Sequence, residues 1–202
     1  MTKVIGIDLG TTFSAIASLD DLGNPEVLAS IEDNRKITAS AIYLKDNEVI
    51  VGDKALTYLK DQSKSVILQT KREMENDVVF SKEKGKWVSD TDLVDAYSPA
   101  QVSALILKKL KDYTSDVKKV VITVPAMFAE KARQATLDAA KIADLEVIEL
   151  INEPTAAVLH YASLPGVEVG GRVMIFDLGG GTFDVTFAEV KNKKVDVLTS
   201  RG

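Results

Sequence analysis

Apolar and polar positions alternate in short runs at both ends of the chain. Near the start, three apolar runs are separated by turn-rich spacers, and they predict an antiparallel meander over residues 4–8, 14–19 and 26–28. Near the end, three further runs predict a second meander over residues 173–177, 183–190 and 195–199. We therefore expect an antiparallel meander at each end.

Between the meanders, the period of the apolar positions changes to that of helices and buried strands. Ser98 followed by Pro99 is typical of a helix start, and the apolar spacing predicts a helix over residues 99–113. The following pattern predicts a strand at 120–124, a helix at 130–143, a strand at 147–151 and a helix at 154–161. This alternation predicts parallel strands joined by right-handed crossovers, and hence an α/β fold.

Residues 35–97 have the weakest pattern. Short strand-like runs at 41–44, 49–51 and 78–80, and a short helix at 53–59, lie among many charged residues. We interpret residues 36–97 as a smaller, more exposed subdomain, in which Trp87 covers a small core. It would be inserted into a first lobe of residues 1–166, and residues 167–202 would form the opening strands of a second lobe.

The two meanders share a motif that carries chemistry. In each, an apolar strand ends at an aspartate, Asp8 or Asp177, and a turn rich in glycine and threonine follows. Such turns leave backbone N–H groups free to converge on an anion, so two facing copies would clamp a polyphosphate. The carboxylates suit Mg²⁺, which prefers few carboxylates together with water and phosphate oxygens. The repeat indicates a duplicated unit, with three strands of the second copy in this chain.

The composition excludes several other classes. The 202 residues contain no cysteine, which removes disulfide frameworks, zinc–thiolate sites and thiol nucleophiles. A net charge of −5 with mixed signs offers no basic stripe for nucleic acid, and no apolar run is long enough to cross a membrane. The P-loop and the dinucleotide glycine fingerprint are both missing. We expect a soluble, cytoplasmic protein that holds phosphates with hairpin turns.

Five motifs follow one another along the chain: IGIDLGTTFS at 5–14, VPAMF at 124–128, ARQAT at 132–136, INEPTAA at 151–157 and FDLGGGTFDV at 176–185. Together they resemble the signatures of the 70-kilodalton heat-shock chaperones, the DnaK family. The resemblance implies the actin-like ATPase fold, in which two lobes of ribonuclease-H-like topology close on ATP or ADP with Mg²⁺. It implies that this chain is the amino-terminal part of that domain, whose ATP hydrolysis controls peptide binding elsewhere in the protein.

The resemblance also implies roles for individual residues. The first phosphate loop would be Gly10, Thr11 and Thr12, and the second would be Gly179, Gly180, Gly181 and Thr182. Asp8 and Asp177 would hold Mg²⁺ through water. Lys71 would reach the γ-phosphate and the attacking water, while Glu153 and Thr182 would orient that water and the metal shell. Pro125 and Arg133 match residues that couple the nucleotide state to the substrate domain.

Simpler interpretations remain open for several of these residues. Lys71 could be an exposed lysine in a charged segment, and Glu153 could be a helix cap. Pro125 could merely end a strand, and Arg133 could be a solvated helix residue. His160, the one histidine, is expected to be structural, because no second ligand stands at metal spacing.

The chain also departs from the family. Glu73, Met74 and Glu75 stand where an apolar pair and glycine are usual, Phe13 stands where tyrosine or asparagine is common, and the stretch between Lys71 and Pro125 is short. Three other functions therefore remain open: an actin-like filament protein, a sugar or acetate kinase of the same superfamily, and a chaperone partner that binds ATP without hydrolysing it.

The resemblance finally implies partners. They are client polypeptides, bound by a domain outside this chain, together with co-chaperones and a nucleotide-exchange factor. For residues 1–202 alone, we expect weak ATP binding and negligible hydrolysis. The second meander, short of covering elements, is expected either to self-associate or to stay mobile.

Overall fold

A computed structural model describes residues 4–46, 48–89, 91–115, 118–192 and 194–202. Its strands are β1 (Val4–Asp8), β2 (Phe13–Leu19), β3 (Pro25–Val27), β4 (Thr38–Ala39), β5 (Ile42–Lys45), β6 (Glu48–Val51), β7 (Val66–Ile67), β8 (Val79–Ser81), β9 (Lys86–Val88), β10 (Ala96–Tyr97), β11 (Lys119–Val124), β12 (Glu146–Asn152), β13 (Gly171–Leu178), β14 (Phe183–Lys191) and β15 (Lys194–Arg201). Its α-helices are α1 (Asp53–Leu56), α2 (Leu59–Gln62), α3 (Pro99–Lys111), α4 (Glu130–Ile142) and α5 (Glu153–Ser163).

The main sheet has the strand order β12-β11-β1-β2-β3, and β4 also pairs with β2. Strands β1, β2 and β3 are antiparallel, which confirms the first predicted meander. Strand β11 is parallel to both β1 and β12, and α4 makes the crossover from β11 to β12. The predicted parallel pairing is therefore confirmed, and the ends of β1 and β11 meet at one edge of the sheet.

Helix α3 begins as its sequence predicts. The Ser98 hydroxyl accepts the N–H of Gln101 at 3.2 Å, and the Gln101 side chain accepts the N–H of Ser98 at 2.8 Å. This reciprocal cap satisfies two N–H groups that would otherwise lack partners at the helix start. The helix buries Val102, Leu107 and Leu110 against the main sheet, so its amphipathic face forms part of the core.

The core extends into residues 36–97 more than the sequence indicates. Ile42 and Leu44 of β5 are buried together with Ile5 and Leu107, because β5 lies between β6 and β7 and packs on the main core. The prediction of a more exposed segment is wrong for β5 and β7, whereas β6 is exposed at its start and half-buried at its end. The predicted helix at 53–59 is also two short helices, α1 and α2, rather than one.

Trp87 covers part of this shared core, since its ring meets Phe80 edge to face with centroids 5.6 Å apart.

The second meander is also confirmed: β13, β14 and β15 form a three-stranded antiparallel sheet. Helix α5 packs against β13 and β15. On one face of the sheet, large apolar side chains are exposed: Met174, Phe176, Leu178, Phe183, Phe187 and Leu198. We call these six residues the exposed apolar face.

Among the described residues, no helix is long and apolar enough to cross a membrane.

Candidate functional site

The two glycine-bearing turns line one cleft of about 800 Å³. Ten of the predicted site residues line it: Asp8, Gly10, Thr11, Thr12, Lys71, Glu153, Asp177, Gly179, Gly180 and Thr182. Gly181 and Pro125 line an adjoining cavity of about 390 Å³, which also contacts Lys71 and Thr182. The fold therefore brings together residues from five distant parts of the sequence.

The turns touch each other closely. A Cβ added at Gly180 would lie 2.7 Å from the hydroxyl oxygen of Thr12 and 2.9 Å from its Cβ, which is closer than side-chain atoms approach. In the described part of the chain, the N–H groups of Thr11, Thr12, Gly180 and Gly181 donate to no protein acceptor. Four donors thus remain available to an anion held between the turns.

Gly10 differs from the other loop residues. Its N–H donates to the Ser14 hydroxyl at 3.2 Å, so it is not one of the N–H groups that lack a protein acceptor. Gly10 instead makes the tight turn from β1 into the loop, and its N–H bond helps to hold that turn.

Replacing Gly180 by alanine is expected to separate the two turns. Because the Cβ of β-branched Thr12 cannot move without the backbone, the overlap should lower the free energy of unfolding by about 1–3 kcal/mol. Urea denaturation of the Gly180→Ala chain measures this loss. Gly170→Ala is the matched control, since an added Cβ there meets nothing within 4 Å. Equal stability of the two variants would show that the turns do not touch as described.

Lys71 and Glu153 line the cleft and form an ion pair there. Lys71 lies in the 3₁₀ turn Thr70–Glu73, and Glu153 is the first residue of α5. Their side chains are only 10% and 17% exposed. Lys71 is therefore not a solvated surface lysine, and the carboxylate of Glu153 binds Lys71 in addition to lying at a helix start.

Burial raises the pKa of Glu153 above its ordinary value, and the Lys71 ammonium opposes this change. The carboxylates of Asp8 and Asp177 raise the pKa of Glu153 further, which shows that the three acids share one electrostatic environment. Burial and Asp177 likewise raise the pKa of Asp184, the residue opposite Asp177 in the β13–β14 pairing. Negative charge is thus concentrated around the cleft and the adjoining cavity.

This group of acids suits a cation that is held through water. Asp8 is exposed to the cleft, and its Oδ1 accepts the hydroxyl proton of Thr123 at 2.8 Å. Asp177 is half-buried on the opposite turn. Among the described residues, no three acid or histidine side chains come together as direct metal ligands. A hard ion such as Mg²⁺, which keeps several waters and binds phosphate oxygens, fits these donors.

His160 is exposed and lines the wall of the cleft, so it is not a buried structural residue.

Pro125 and Arg133 flank the site in different ways. Pro125 follows β11 and its carbonyl accepts the N–H of Phe128 at 3.1 Å. The Arg133 guanidinium donates to the carbonyl of Phe128 at 3.1 Å and to the side chain of Asn152 at 2.6 Å. Asn152 directly precedes Glu153. Arg133 is therefore held by protein groups rather than by solvent, and it lies outside both cavities.

The sequence interpretation missed four residues at the site. Thr123 holds Asp8, Arg72 donates to the carbonyl of Gly181, and Ser14 and Ser40 hold Gly10. Ser14 and Thr123 were visible beside recognised motifs, but Ser40 and Arg72 reach the site through contacts between distant parts of the chain. Only the folded structure reveals those contacts.

Comparison with known proteins gives a consistent result. The family profile described as Hsp70 protein matches residues 4–202. The chain is 40% identical over 204 residues to the chaperone protein DnaK of Mycoplasmopsis agalactiae, an alignment covering 98% of this chain and 32% of that protein. It is 37% identical over 227 residues to the chaperone protein DnaK of Stenotrophomonas maltophilia, covering 100% of this chain and 35% of that protein. The chain spans about a third of the length of these curated relatives. On this evidence of sequence, it belongs to the Hsp70 family.

Proposed function

We propose that the chain is the amino-terminal part of the ATP-binding and ATP-hydrolysing domain of a DnaK-type molecular chaperone. The observation that supports this most directly is the buried Lys71–Glu153 ion pair, which lines the same cleft as the two turns. Among the described residues, four N–H groups of these turns, those of Thr11, Thr12, Gly180 and Gly181, have no protein acceptor. A cation, a carboxylate and several N–H donors around one cleft are the groups that phosphoryl transfer requires. The actin-like two-lobed architecture belongs to the same proposal.

The phosphates of ATP or ADP would lie between the two turns. The free N–H groups of Thr11, Thr12, Gly180 and Gly181 would bind phosphate oxygens, and Lys71 would neutralise charge on the γ-phosphate. Asp8 and Asp177 would hold Mg²⁺ through water molecules. When bound, that ion would withdraw charge from the phosphate oxygens.

The attacking water would lie near Glu153 and Thr182. Thr182 lines both cavities, and its carbonyl accepts the N–H of Gly179 at 2.9 Å, which closes the second turn. The Glu153 carboxylate would accept a hydrogen bond from this water while Lys71 fixes the position of that carboxylate. Catalysis would therefore come from positioning and charge neutralisation, without a covalent intermediate.

ATP hydrolysis by the complete protein tests this function. We expect slow, Mg²⁺-dependent hydrolysis that an unfolded peptide accelerates. Binding of ATP without turnover would favour the non-hydrolysing chaperone partner. Transfer of the γ-phosphate to a sugar or to acetate would favour the kinase. Polymers that sediment only with ATP would favour the filament protein.

The same proposal includes partners and location. Client polypeptides would bind a domain outside this chain, and co-chaperones and a nucleotide-exchange factor would adjust the ATP cycle in the cytoplasm. Pro125 and Arg133 would couple the nucleotide state to client binding, since Arg133 is bonded to the residue beside Glu153. Because of the exposed apolar face, residues 1–202 alone would either self-associate or leave this sheet mobile, and associated particles would sediment with or without nucleotide.

A further inference from the structure

Gly10 is held by a closed ring of hydrogen bonds that involves Ser14 and Ser40. The N–H of Gly10 donates to Ser14 Oγ at 3.2 Å, the two serine hydroxyls lie 2.9 Å apart, and Ser40 Oγ donates to the carbonyl of Gly10 at 2.7 Å. Both serines are buried, with side chains in contact across 26 residues of sequence. Both backbone groups of one glycine are thus bonded to one pair of hydroxyls.

Counting the hydroxyl protons shows which group donates in each hydrogen bond of the ring. A carbonyl oxygen only accepts, so the single hydroxyl proton of Ser40 is used on Gly10. Ser14 must then donate to Ser40, which leaves the Ser14 oxygen free to accept the Gly10 N–H. Each hydroxyl proton is donated in one hydrogen bond. Hydrogen bonds that follow one another in the same direction strengthen each other.

The ring lies immediately beside the donors that would face the phosphates. Ser40 also donates its own N–H to the carbonyl of Thr12 at 2.8 Å, so this one residue holds both ends of the Gly10–Thr12 turn. With these protein groups paired internally, the N–H groups of Thr11 and Thr12 are those left for an anion.

We propose that Ser14 and Ser40 are positioning residues that set the first turn for phosphate binding before any nucleotide arrives. The ring keeps the Thr11 and Thr12 donors oriented, which reduces the ordering needed when the ligand binds. The part of this inference that concerns phosphate rests on the proposed function, whereas the ring itself does not.

A double-mutant cycle tests the ring in the full chain without nucleotide. We expect amide hydrogen exchange at Gly10 to become about two- to tenfold faster in Ser14→Ala and in Ser40→Ala, because the net contribution of one hydrogen bond corresponds to factors of this order. The double variant should be no faster than either single one, since either change opens the same ring. Ser18→Ala is the control: it removes another buried hydroxyl from the same face of β2. Two results would contradict the ring: additive effects of the two serine changes on Gly10 exchange, or Gly10 exchange in the serine variants that is no faster than in Ser18→Ala.

A second experiment measures ATP binding and hydrolysis by the complete protein. We expect each serine variant to bind ATP about fivefold more weakly with kcat changed less than twofold, and the double variant to match the single ones. Unchanged ATP affinity would overturn the positioning role. An unmodified protein that shows normal Gly10 protection but binds no ATP would instead contradict the proposed function and leave the ring supported.

Discussion

Replacing Lys71 by alanine is expected to slow ATP hydrolysis by about 10²–10³-fold, the usual loss when one preorganised charge at a transition state is removed. Nucleotide binding should change much less, because the turn N–H groups still hold the phosphates and the lost interaction serves mainly the transition state. Single-turnover kinetics, together with the dissociation constant of ATP, separate the two effects in the complete protein.

The controls for this experiment follow from the ion pair. Without its lysine, Glu153 keeps the burial that raises its pKa and loses the ammonium that lowers it, so its pKa must rise further. Lys71→Met retains the aliphatic stem, and its combination with Glu153→Gln removes the uncompensated charge. Lys60→Met alters an exposed lysine and should leave the rate unchanged. A parallel loss of ATP binding in Lys71→Ala would make Lys71 a ground-state phosphate contact.

Some parts of the fold follow directly from local sequence. Strand β1 ends at Asp8 and β13 ends one residue after Asp177, and turn residues follow both strands, so both hairpins and the positions of their acids are predictable. The Ser98 cap likewise marks the start of α3 to the residue. In these places the information lies within about ten residues, and the structure confirms it.

Other parts of the fold depend on contacts between residues that are distant in the sequence, which local sequence patterns do not reveal. β5 is short and follows a charged segment, yet Ile42 and Leu44 are buried because two further strands and α3 cover them. Lys71 and Glu153 are separated by 82 residues, and Arg72 meets Gly181 across 109. The predicted role of Lys71 came from family resemblance, while its burial and its partner became visible only in the fold.

Replacing Asp8 or Asp177 by asparagine is expected to reduce Mg²⁺-dependent hydrolysis by about 10–100-fold, the range typical for residues that act on a metal through its surroundings. Each change removes one negative charge from the cleft and keeps the shape of the side chain. Because the ion would be held less tightly, a higher Mg²⁺ concentration should restore part of the rate. Titration of the rate with Mg²⁺ measures this shift.

The stability of Asp177→Asn is not expected to fall with its activity. Asp177 raises the pKa of Asp184 and of Glu153, and a carboxyl whose pKa is higher in the folded state destabilises the fold at pH values where it is ionised. Asp177→Asn removes that repulsion, so the melting temperature at neutral pH should stay the same or rise. The gain should vanish in acid, where these carboxyls are protonated in both states.

Asp196→Asn separates this effect from a general loss of charge. Asp196 is exposed on β15 of the same sheet, so its replacement should change neither the Mg²⁺ dependence nor the rate. Lower activity together with a lower melting temperature in Asp177→Asn would indicate that Asp177 maintains the fold of the second turn. Unchanged hydrolysis in both Asp8→Asn and Asp177→Asn would exclude the metal role, because two facing acids at strand ends would then have no effect on the reaction that their charge is proposed to assist.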